Sequence, residues 1–272
     1  MNYKEDIVTI FKGAVIGATM SVPGVSGGSM AMILGIYDKL ISSVSNCFKE
    51  PKKNIFYLIK ASIGGMIGIV LFARLMSSLL NRYPFIMSCF FLGAVLGGVP
   101  IIFKNIRIDK TSLNIKFFFF ILLGVLSVFL IGLLPTGIFK ISNEMSINYI
   151  LLQLSAGLII AVALVLPGIS TSHMLLMLGL YDTVLSAIKN LKFLELSPLF
   201  IGTLLGIFLT AKLLNRLFES HKDGTYLVVF GFMIGSVKTL LPQSIEQGAL
   251  IFGIIAFLGG LLSIYFIGKA EK

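Results

Sequence analysis

The chain alternates long apolar stretches with short polar segments, in an order that occurs twice. In each half the pattern predicts one hairpin that is broken near its middle, followed by three apolar helices. The apolar stretches approach or exceed the roughly 20 residues that a helix needs to cross a bilayer. The hairpins are predicted at 7–44 and 147–190, and the further helices at 55–80, 85–103, 117–139, 196–218, 225–241 and 248–268. The pattern therefore predicts an all-α polytopic membrane protein.

The composition agrees with this class. Hydrophobic residues make up 57% of the 272 residues and charged residues 12%, whereas soluble domains carry about 25% charged residues. The net charge of +10 does not indicate a nucleic-acid partner, because the basic residues concentrate in short loops, where they set membrane orientation. Cys47 and Cys89 do not suggest a disulfide framework.

The interrupted part of the hairpin is itself repeated. Residues 22–38 read VPGVSGGSMAMILGIYD and residues 166–182 read LPGISTSHMLLMLGLYD, so 8 of 17 aligned positions are identical at an offset of 144. Each copy has a Pro-Gly break, a run of small polar residues, and an apolar helix that we expect to end at Gly-x-Tyr-Asp. Interrupted apolar helices in corresponding positions of two halves indicate the binding site of a membrane transporter.

The similarity continues beyond the hairpin at an offset of 138, and we expect 1–144 and 145–272 to form two repeats. Each repeat has an odd number of crossings whether its hairpin crosses twice or not at all, so the second repeat would be inverted relative to the first. The matched GxxxG glycines are interpreted as helix-packing positions: Gly64 and Gly68 with Gly202 and Gly206, and Gly93 and Gly97 with Gly231 and Gly235.

The basic residues indicate which side of the membrane holds the termini. In this topology thirteen Lys and Arg lie on the side of the termini and five on the other, and cytoplasmic loops carry the excess. Both termini are therefore predicted to be cytoplasmic, in a bacterial cell membrane. The thirteen are Lys4, Lys12, Lys49, Lys52, Lys53, Lys104, Arg107, Lys110, Lys116, Arg216, Lys222, Lys269 and Lys272, and the five are Arg82, Lys140, Lys189, Lys192 and Lys238.

The sequence leaves open whether each hairpin crosses the membrane or re-enters it. A continuous helix over 7–44 would be about 57 Å long at 1.5 Å per residue, and Pro23-Gly24 interrupts it near the middle. We favour a re-entrant hairpin, because the turn carries no charge and because irregular backbone at membrane depth is tolerated where it lines a cavity.

The small polar residues after each Pro-Gly break are candidates for binding an anion. A helix N-terminus offers free N–H groups and a partial positive charge, glycine lets an anion approach the backbone, and hydroxyl groups add donors. We expect both runs to line one cavity near the membrane centre. Helix capping and close packing would explain the same residues without a ligand. The candidates are Ser26, Gly27, Gly28 and Ser29, and Ser170, Thr171, Ser172 and His173.

Ionisable residues in the predicted helices add further candidates. Arg74 and its counterpart Lys212 lie inside predicted spans, where they could neutralise a phosphate or extend to the membrane surface. His173 could donate to a phosphate or take up a proton near neutral pH. Asp38 and Asp182 are the last residues of the two copies of the repeated motif. An acidic residue near a helix C-terminus opposes the helix dipole, which suggests proton coupling or a pair with a nearby lysine.

No motif indicates an enzyme. The chain lacks HExxH, a P-loop and a Cys/His cluster, so we expect no catalytic residue, no metal and no cofactor. Without a nucleotide site, any transport would have to be driven by an ion gradient, by the membrane potential or by consumption of the product.

The stretch VPGVSGGS…LGIYDKLI, with its partner LPGIST…LGLYDTVL, resembles the undecaprenyl phosphate translocase PopT family of bacterial membrane proteins over nearly the whole chain. The resemblance implies return of undecaprenyl phosphate across the cytoplasmic membrane, so that the carrier is reused in envelope synthesis. The family's Pro-Gly-Val-Ser-Gly-Gly stretch falls on Pro23 to Gly28. This chain departs from the family at Thr171 and His173, and at Met20, where many members carry an acidic residue.

The residues and the resemblance favour the same substrate. A polyprenyl phosphate needs a cradle for its anionic head and a gap between helices for its tail, so we expect this lipid, membrane lipids and protons or another coupling ion as partners. A secondary transporter of a small soluble anion and a non-transporting membrane scaffold remain as alternatives.

Overall fold

The computed structural model describes residues 3–20, 26–104, 115–139, 146–190, 192–242 and 247–270. The predicted Pro23-Gly24 break and most of the 104–116 loop lie outside these residues. Within them the helices are α1 Tyr3–Met20, α2 Gly27–Ile33, α3 Tyr37–Ser45, α4 Pro51–Arg82, α5 Pro84–Lys104, α6 Ile115–Gly132, α7 Ile147–Val165, α8 Thr171–Leu178, α9 Tyr181–Lys189, α10 Ser197–Ser220, α11 Lys222–Leu240 and α12 Leu250–Ala270. Short 3₁₀ helices at Phe193–Leu196 and Gln247–Ala249 precede α10 and α12.

The long helices have the length and composition of membrane spans. Their outward faces expose many large apolar side chains, such as Phe118 and Leu122 on α6 and Phe252 and Ile255 on α12. Soluble proteins rarely expose apolar surface on this scale, so the predicted class of polytopic all-helical membrane protein is confirmed. Five stretches of the described residues are long and apolar enough to cross a membrane: Pro51–Arg82, Pro84–Phe103, Ile115–Gly132, Ile147–Val165 and Phe193–Ser220.

Two helix pairs form the same contact in the two halves of the chain. Helix α1 packs along α4, and α7 packs along α10. A Cβ added to Gly64 would overlap the carbonyl oxygen of Ile10, and a Cβ added to Gly202 would overlap that of Leu154. Ile10 and Leu154 are 144 residues apart and Gly64 and Gly202 are 138 apart, so these contacts occupy repeat-related positions. Backbones approach this closely where small residues line the interface.

The remaining long helices pair between the halves. Helix α5 packs along α12, and α6 packs along α11. A Cβ added to Gly93 would overlap the carbonyl oxygen of Phe257, and a Cβ added to its counterpart Gly231 would overlap that of Ile121. An exchange of equivalent contacts between two copies is what a twofold relation produces.

The interior of the molecule is built around the interrupted helices. Ile33 of α2, Ile102 of α5 and Met233 of α11 are fully buried and belong to one apolar cluster. A second cluster, which includes Met177 and Leu180, surrounds α7 and α8. The short helices α2 and α8 are therefore held from several sides, although they are too short to be stable alone.

Each hairpin region has a second break, at the Leu-Gly-x-Tyr sequence. Gly35, between α2 and α3, has φ 68°, and its counterpart Gly179, between α8 and α9, has φ 73°. Glycine in this left-handed conformation commonly ends a helix. The Tyr-Asp pair therefore begins a new helix and does not end the preceding one.

The predicted position of Asp38 and Asp182 near helix C-termini is consequently wrong. Both residues lie in the first turn of a helix, Asp38 in α3 and Asp182 in α9. A carboxylate interacts favourably with the helix dipole at that end, so the dipole gives no reason to assign these residues a coupling role.

Candidate functional site

The segment 166–170 between α7 and α8, which we call the second turn, presents its polar residues at the start of α8. The side chain of Ser170 caps α8, since its Oγ accepts a hydrogen bond from the His173 N–H at 3.4 Å. In the first copy Ser26 precedes α2 in the same way, but its side chain makes no capping hydrogen bond. The first turn of α8 leaves backbone N–H groups without helical partners, which favours an anion near Ser170 and His173.

The start of α2 lies against the second turn. A Cβ added to Gly28 would lie 3.1 Å from Cα of Pro167 and 3.2 Å from the carbonyl oxygen of Val165. Behind this contact, the hydroxyl of Tyr37 donates a hydrogen bond of 2.9 Å to the same Val165 oxygen. Gly28 therefore occupies a position where a larger side chain would push α2 away from the second turn.

A cavity of about 460 Å³, which we call the second-turn cavity, lies between α6, the second turn and the end of α11. Its polar lining residues are Ser170, His173, Lys238 and Thr239. Asp and Glu do not occur among the described residues that line it. The rest of the lining is Val128, Phe129, Ile131, Gly132, Leu133, Gly168, Ile169 and Gly235.

This lining combines one fixed cation with an apolar wall. The ammonium of Lys238 lies 5.4 Å from the ring centroid of Phe129, and its three N–H bonds are donors only. The imidazole of His173 and the hydroxyl of Ser170, which line the same cavity, add donors toward an oxyanion. Such a cavity is suited to an anionic head attached to a hydrocarbon chain.

Two glycines of the first copy's polar run border a different and smaller space. Gly27 and Gly28 line a cavity of about 220 Å³ together with apolar residues that include Met20 and Val165. The described structure therefore does not bring the two polar runs onto one cavity, although it brings α2 into contact with the second turn.

The hydroxyl residues of the two runs differ in their surroundings. Ser26 and Ser29 are buried, and Oγ of Ser29 has no hydrogen-bond partner among the described residues. Thr171 is half-buried and Ser172 exposed, and neither lines the second-turn cavity. The first run thus faces the protein interior, whereas the second is more accessible.

Arg74 and Lys212 lie away from both cavities. They are exposed on α4 and α10 and do not line the second-turn cavity or the space beside Gly27. The ammonium of Lys212 lies 5.9 Å from the ring centroid of Phe208. Their position on the outer surface of the bundle favours the alternative in which both side chains extend to the membrane surface.

Asp38 has a specific partner, in contrast to its counterpart. It accepts a hydrogen bond from the hydroxyl of Tyr226 on α11, and Tyr226 is buried. Asp38 and Asp182 are both exposed. Among the described residues, the hydrogen bond to Asp38 joins α3 to α11.

The sequence interpretation missed Lys238 and Thr239 as site residues. Lys238 is counted above among the basic residues on the side opposite the termini, yet it lies within the span predicted at 225–241. A cation inside a predicted span is a signal of function and could have identified it. Its counterpart at an offset of 138 is Pro100, so the repeat offered no matching cation.

Comparison with known proteins supports a shared family. The family described as VCA0040-like, undecaprenyl phosphate translocase-like, matches residues 16–251. A relative from Staphylococcus aureus named polyprenyl-phosphate transporter is 30% identical over 276 residues, which cover 96% of each chain. One from Vibrio cholerae with the same name is 30% identical over 256 residues, covering 89% of this chain and 79% of the relative. No solved structure matches the chain significantly. The chain therefore belongs to the undecaprenyl phosphate translocase-like family of bacterial membrane proteins.

Proposed function

We propose that this protein moves undecaprenyl phosphate, or a closely related polyprenyl phosphate, across the bacterial cytoplasmic membrane and so returns the lipid carrier for envelope synthesis. The family and the names of the two relatives support this substrate. The observation that carries the proposal is the second-turn cavity, where Lys238, His173 and Ser170 lie beside an apolar wall. The protein acts as a transporter and not as an enzyme.

In this proposal the phosphate binds at the start of α8. The N–H groups of the first turn, the Ser170 hydroxyl and the His173 ring donate hydrogen bonds to its oxygens, and Lys238 supplies the counter-charge. Thr171 and Ser172 flank this position and take part as the phosphate moves. Arg74 and Lys212 serve as anchors at the membrane surface and leave the phosphate to Lys238.

The polar run of the first copy, at the start of α2, is proposed to receive the phosphate in an alternative conformation. Ser26, Gly27, Gly28 and Ser29 occupy the repeat-related positions, and the unpartnered hydroxyl of Ser29 would be satisfied by a phosphate oxygen. The space beside Gly27 and Gly28 is about 220 Å³ and the second-turn cavity about 460 Å³. In this proposal the two sites receive the phosphate in turn.

We also propose that the halves are inverted in the membrane. The exchanged pairing of α5 with α12 and of α6 with α11 supports a twofold relation. An odd number of crossings in each half would orient that axis in the membrane plane. The excess of basic residues then puts both termini in the cytoplasm.

The hairpins are proposed to be re-entrant. Helix α2 has 7 residues and α8 has 8, which corresponds to about 10–12 Å of helix against a hydrocarbon thickness of about 30 Å. The contact of Gly28 with Pro167 supports two hairpins that meet inside the protein. Neither short helix can cross the bilayer alone.

Coupling to an ion gradient is proposed at His173, with Asp38 and Asp182 as further candidates. His173 lines the second-turn cavity, where protonation would add a second positive charge beside the phosphate. Asp38 is held by Tyr226 of α11, a helix whose end lines the same cavity. A proton on Asp38 would therefore change a contact between α3 and the start of α11.

The test is transport of fluorescent undecaprenyl phosphate in proteoliposomes, with and without a pH gradient. Lipid that has moved inward is protected from a phosphatase added outside. Protein-dependent protection supports the proposal, and its absence with folded protein contradicts it. Uptake of inorganic phosphate by the same vesicles, without lipid movement, would instead favour a transporter of a small soluble anion.

A further inference from the structure

A group of lysines lines two adjoining cavities, which share no lining residue with the second-turn cavity. The cavities measure about 430 and 420 Å³, and both are lined by Lys39 and Tyr57. We call them together the lysine vestibule. The first is also lined by Lys4, Glu5, Val8, Thr9, Lys12, Gly35 and Ile36, and the second by Ser42, Ser43, Asn46, Lys49, Glu50, Lys53 and Asn54.

The vestibule carries an excess of positive charge. Five lysines line it, Lys4, Lys12, Lys39, Lys49 and Lys53, against two carboxylates, Glu5 and Glu50, which leaves a net charge of +3. Glu50 pairs with Lys53 at 3.2 Å, but both side chains are largely exposed, so solvent weakens that pair. Lys12 extends its ammonium to the carbonyl oxygen of Leu34 at 2.9 Å, at the end of α2. The charges thus converge from α1, α3 and the start of α4.

Tyr57 gives the vestibule a buried polar group that lacks a partner. Its side chain is 9% exposed, and its hydroxyl has no hydrogen-bond partner among the described residues. The ammonium of Lys39 lies 4.6 Å from the centroid of its ring. Buried hydroxyl groups are almost always hydrogen-bonded in folded proteins. The Tyr57 hydroxyl, next to Lys39, can therefore donate a hydrogen bond to an oxygen of a ligand.

We infer that the lysine vestibule binds the phosphate headgroup of a membrane lipid. Lys53, Asn54 and Tyr57 lie in the first two turns of the membrane-spanning helix α4, which begins at Pro51. This is the depth of the headgroups, where basic pockets between membrane helices bind anionic lipids. A headgroup can enter there while its hydrocarbon tail stays in the bilayer.

The choice among phosphate lipids rests on the proposed function. With cytoplasmic termini, the vestibule opens on the inner leaflet, where a transported polyprenyl phosphate would leave the protein. Its lining residues are distinct from those of the second-turn cavity. The vestibule is therefore a second phosphate site on the path of the same lipid.

The experiment uses a tryptophan as a local reporter, because the chain contains none. Val8→Trp places the only indole in the lining of the first cavity, and farnesyl phosphate is titrated into the detergent-solubilised protein. We expect a saturable change in fluorescence. Lys39→Gln in this background should raise the dissociation constant at least tenfold, and Tyr57→Phe at least threefold. Lys52→Gln removes the same charge from a residue that lines neither cavity. It should leave the dissociation constant within twofold of the value for Val8→Trp alone.

Two comparisons identify the ligand. Saturation by farnesyl phosphate or short-chain phosphatidylglycerol, but not by inorganic phosphate at the same concentration, supports a lipid headgroup site. Equal saturation by inorganic phosphate, absence of a saturable change, or indifference to Lys39→Gln overturns it. Should Val8→Trp disturb folding, native mass spectrometry of the chain with and without Lys39→Gln makes the same comparison by counting bound farnesyl phosphate.

The inference and the proposed function can fail separately. If the unmodified protein moves no undecaprenyl phosphate in vesicles but the vestibule still binds farnesyl phosphate, the transport proposal fails alone. If transport occurs and the vestibule gives no saturable response, the vestibule inference fails alone.

Discussion

The hydroxyl of Tyr37 donates a hydrogen bond of 2.9 Å to the backbone carbonyl oxygen of Val165, 128 residues along the chain. Tyr37 begins α3 in the first half, and Val165 ends α7 in the second, directly before the Pro167 turn. Leu166 follows with extended backbone, so the carbonyl of Val165 has left the helical ladder and needs another donor. The bond therefore ties the first hairpin to the point where the second is interrupted.

Replacing Tyr37 with phenylalanine should destabilise the protein without removing its packing. A neutral hydrogen bond contributes about 0.5–1.5 kcal/mol, and an acceptor left buried without a partner adds to the loss. We expect a lower midpoint of thermal unfolding for detergent-solubilised Tyr37→Phe. The matched control is Tyr181→Phe, the counterpart in the second copy, which is 37% exposed and should leave the midpoint unchanged. Equal shifts in both variants would mean that the Tyr37 bond contributes nothing measurable.

The sequence was sufficient for the class of protein and for its family. Long apolar stretches made a polytopic helical membrane protein the consistent solution, and the repeated Pro-Gly motif identified the family that the comparisons then supported. The sequence also identified the GxxxG glycines as helix-packing positions. In the structure, positions such as Gly64 admit no side chain at a helix contact. These features depend on local composition and spacing, which the sequence displays directly.

The sequence did not predict which of the charged residues would lie at the site. Arg74 and Lys238 both lie within predicted spans and both are exposed, but of the two only Lys238 lines the second-turn cavity. Which side of a helix faces a cavity depends on packing between helices that are distant in sequence. The start of α3 at Tyr37 was missed for a local reason, since the left-handed Gly35 was interpreted as part of a helix end without a new helix after it.

The pairing of α5 with α12 can be tested with two adjacent glycines. A Cβ on Gly260 would overlap the carbonyl oxygen of Phe90, whereas a Cβ on Gly259 would have no heavy atom within 4 Å. Gly260→Ala should therefore lower stability by about 1–3 kcal/mol, the usual cost of overpacking. Gly259→Ala should leave it unchanged or slightly raise it, because alanine favours helix. Reversible unfolding in mixed micelles measures both, and the opposite ranking would contradict this helix contact.

Labelling of introduced cysteines tests the proposed inversion. Cys47 and Cys89 are first replaced by serine, and single cysteines are placed at Ser112 and Lys192. In intact cells a membrane-impermeant maleimide should label Lys192→Cys, in the predicted outer loop, and should label Ser112→Cys only after the membrane is opened. Ser112 itself lies outside the described residues. Labelling of both positions in intact cells, or of neither, would rule out the inverted arrangement.

Lys238→Gln is the most direct test of the phosphate site. A charge-assisted hydrogen bond contributes about 1.5–3 kcal/mol, and each 1.4 kcal/mol corresponds to a tenfold change in affinity. We therefore expect transport of undecaprenyl phosphate at limiting substrate to fall about ten- to a hundredfold in proteoliposomes. Lys192→Gln is the control, since Lys192 is an exposed partner of Glu195 at 2.9 Å and lines no part of the second-turn cavity.

The same assay separates Lys238 from the two cations that the sequence favoured. Arg74→Gln and Lys212→Gln should keep transport within about twofold, because neither side chain lines the cavity in which the phosphate is proposed to bind. A large loss in these variants with normal transport by Lys238→Gln would move the phosphate from the second-turn cavity to the outer faces of α4 and α10. A loss in Lys238→Gln alone, with the protein folded and inserted at normal levels, would assign the counter-charge to the end of α11, beside the interrupted helix.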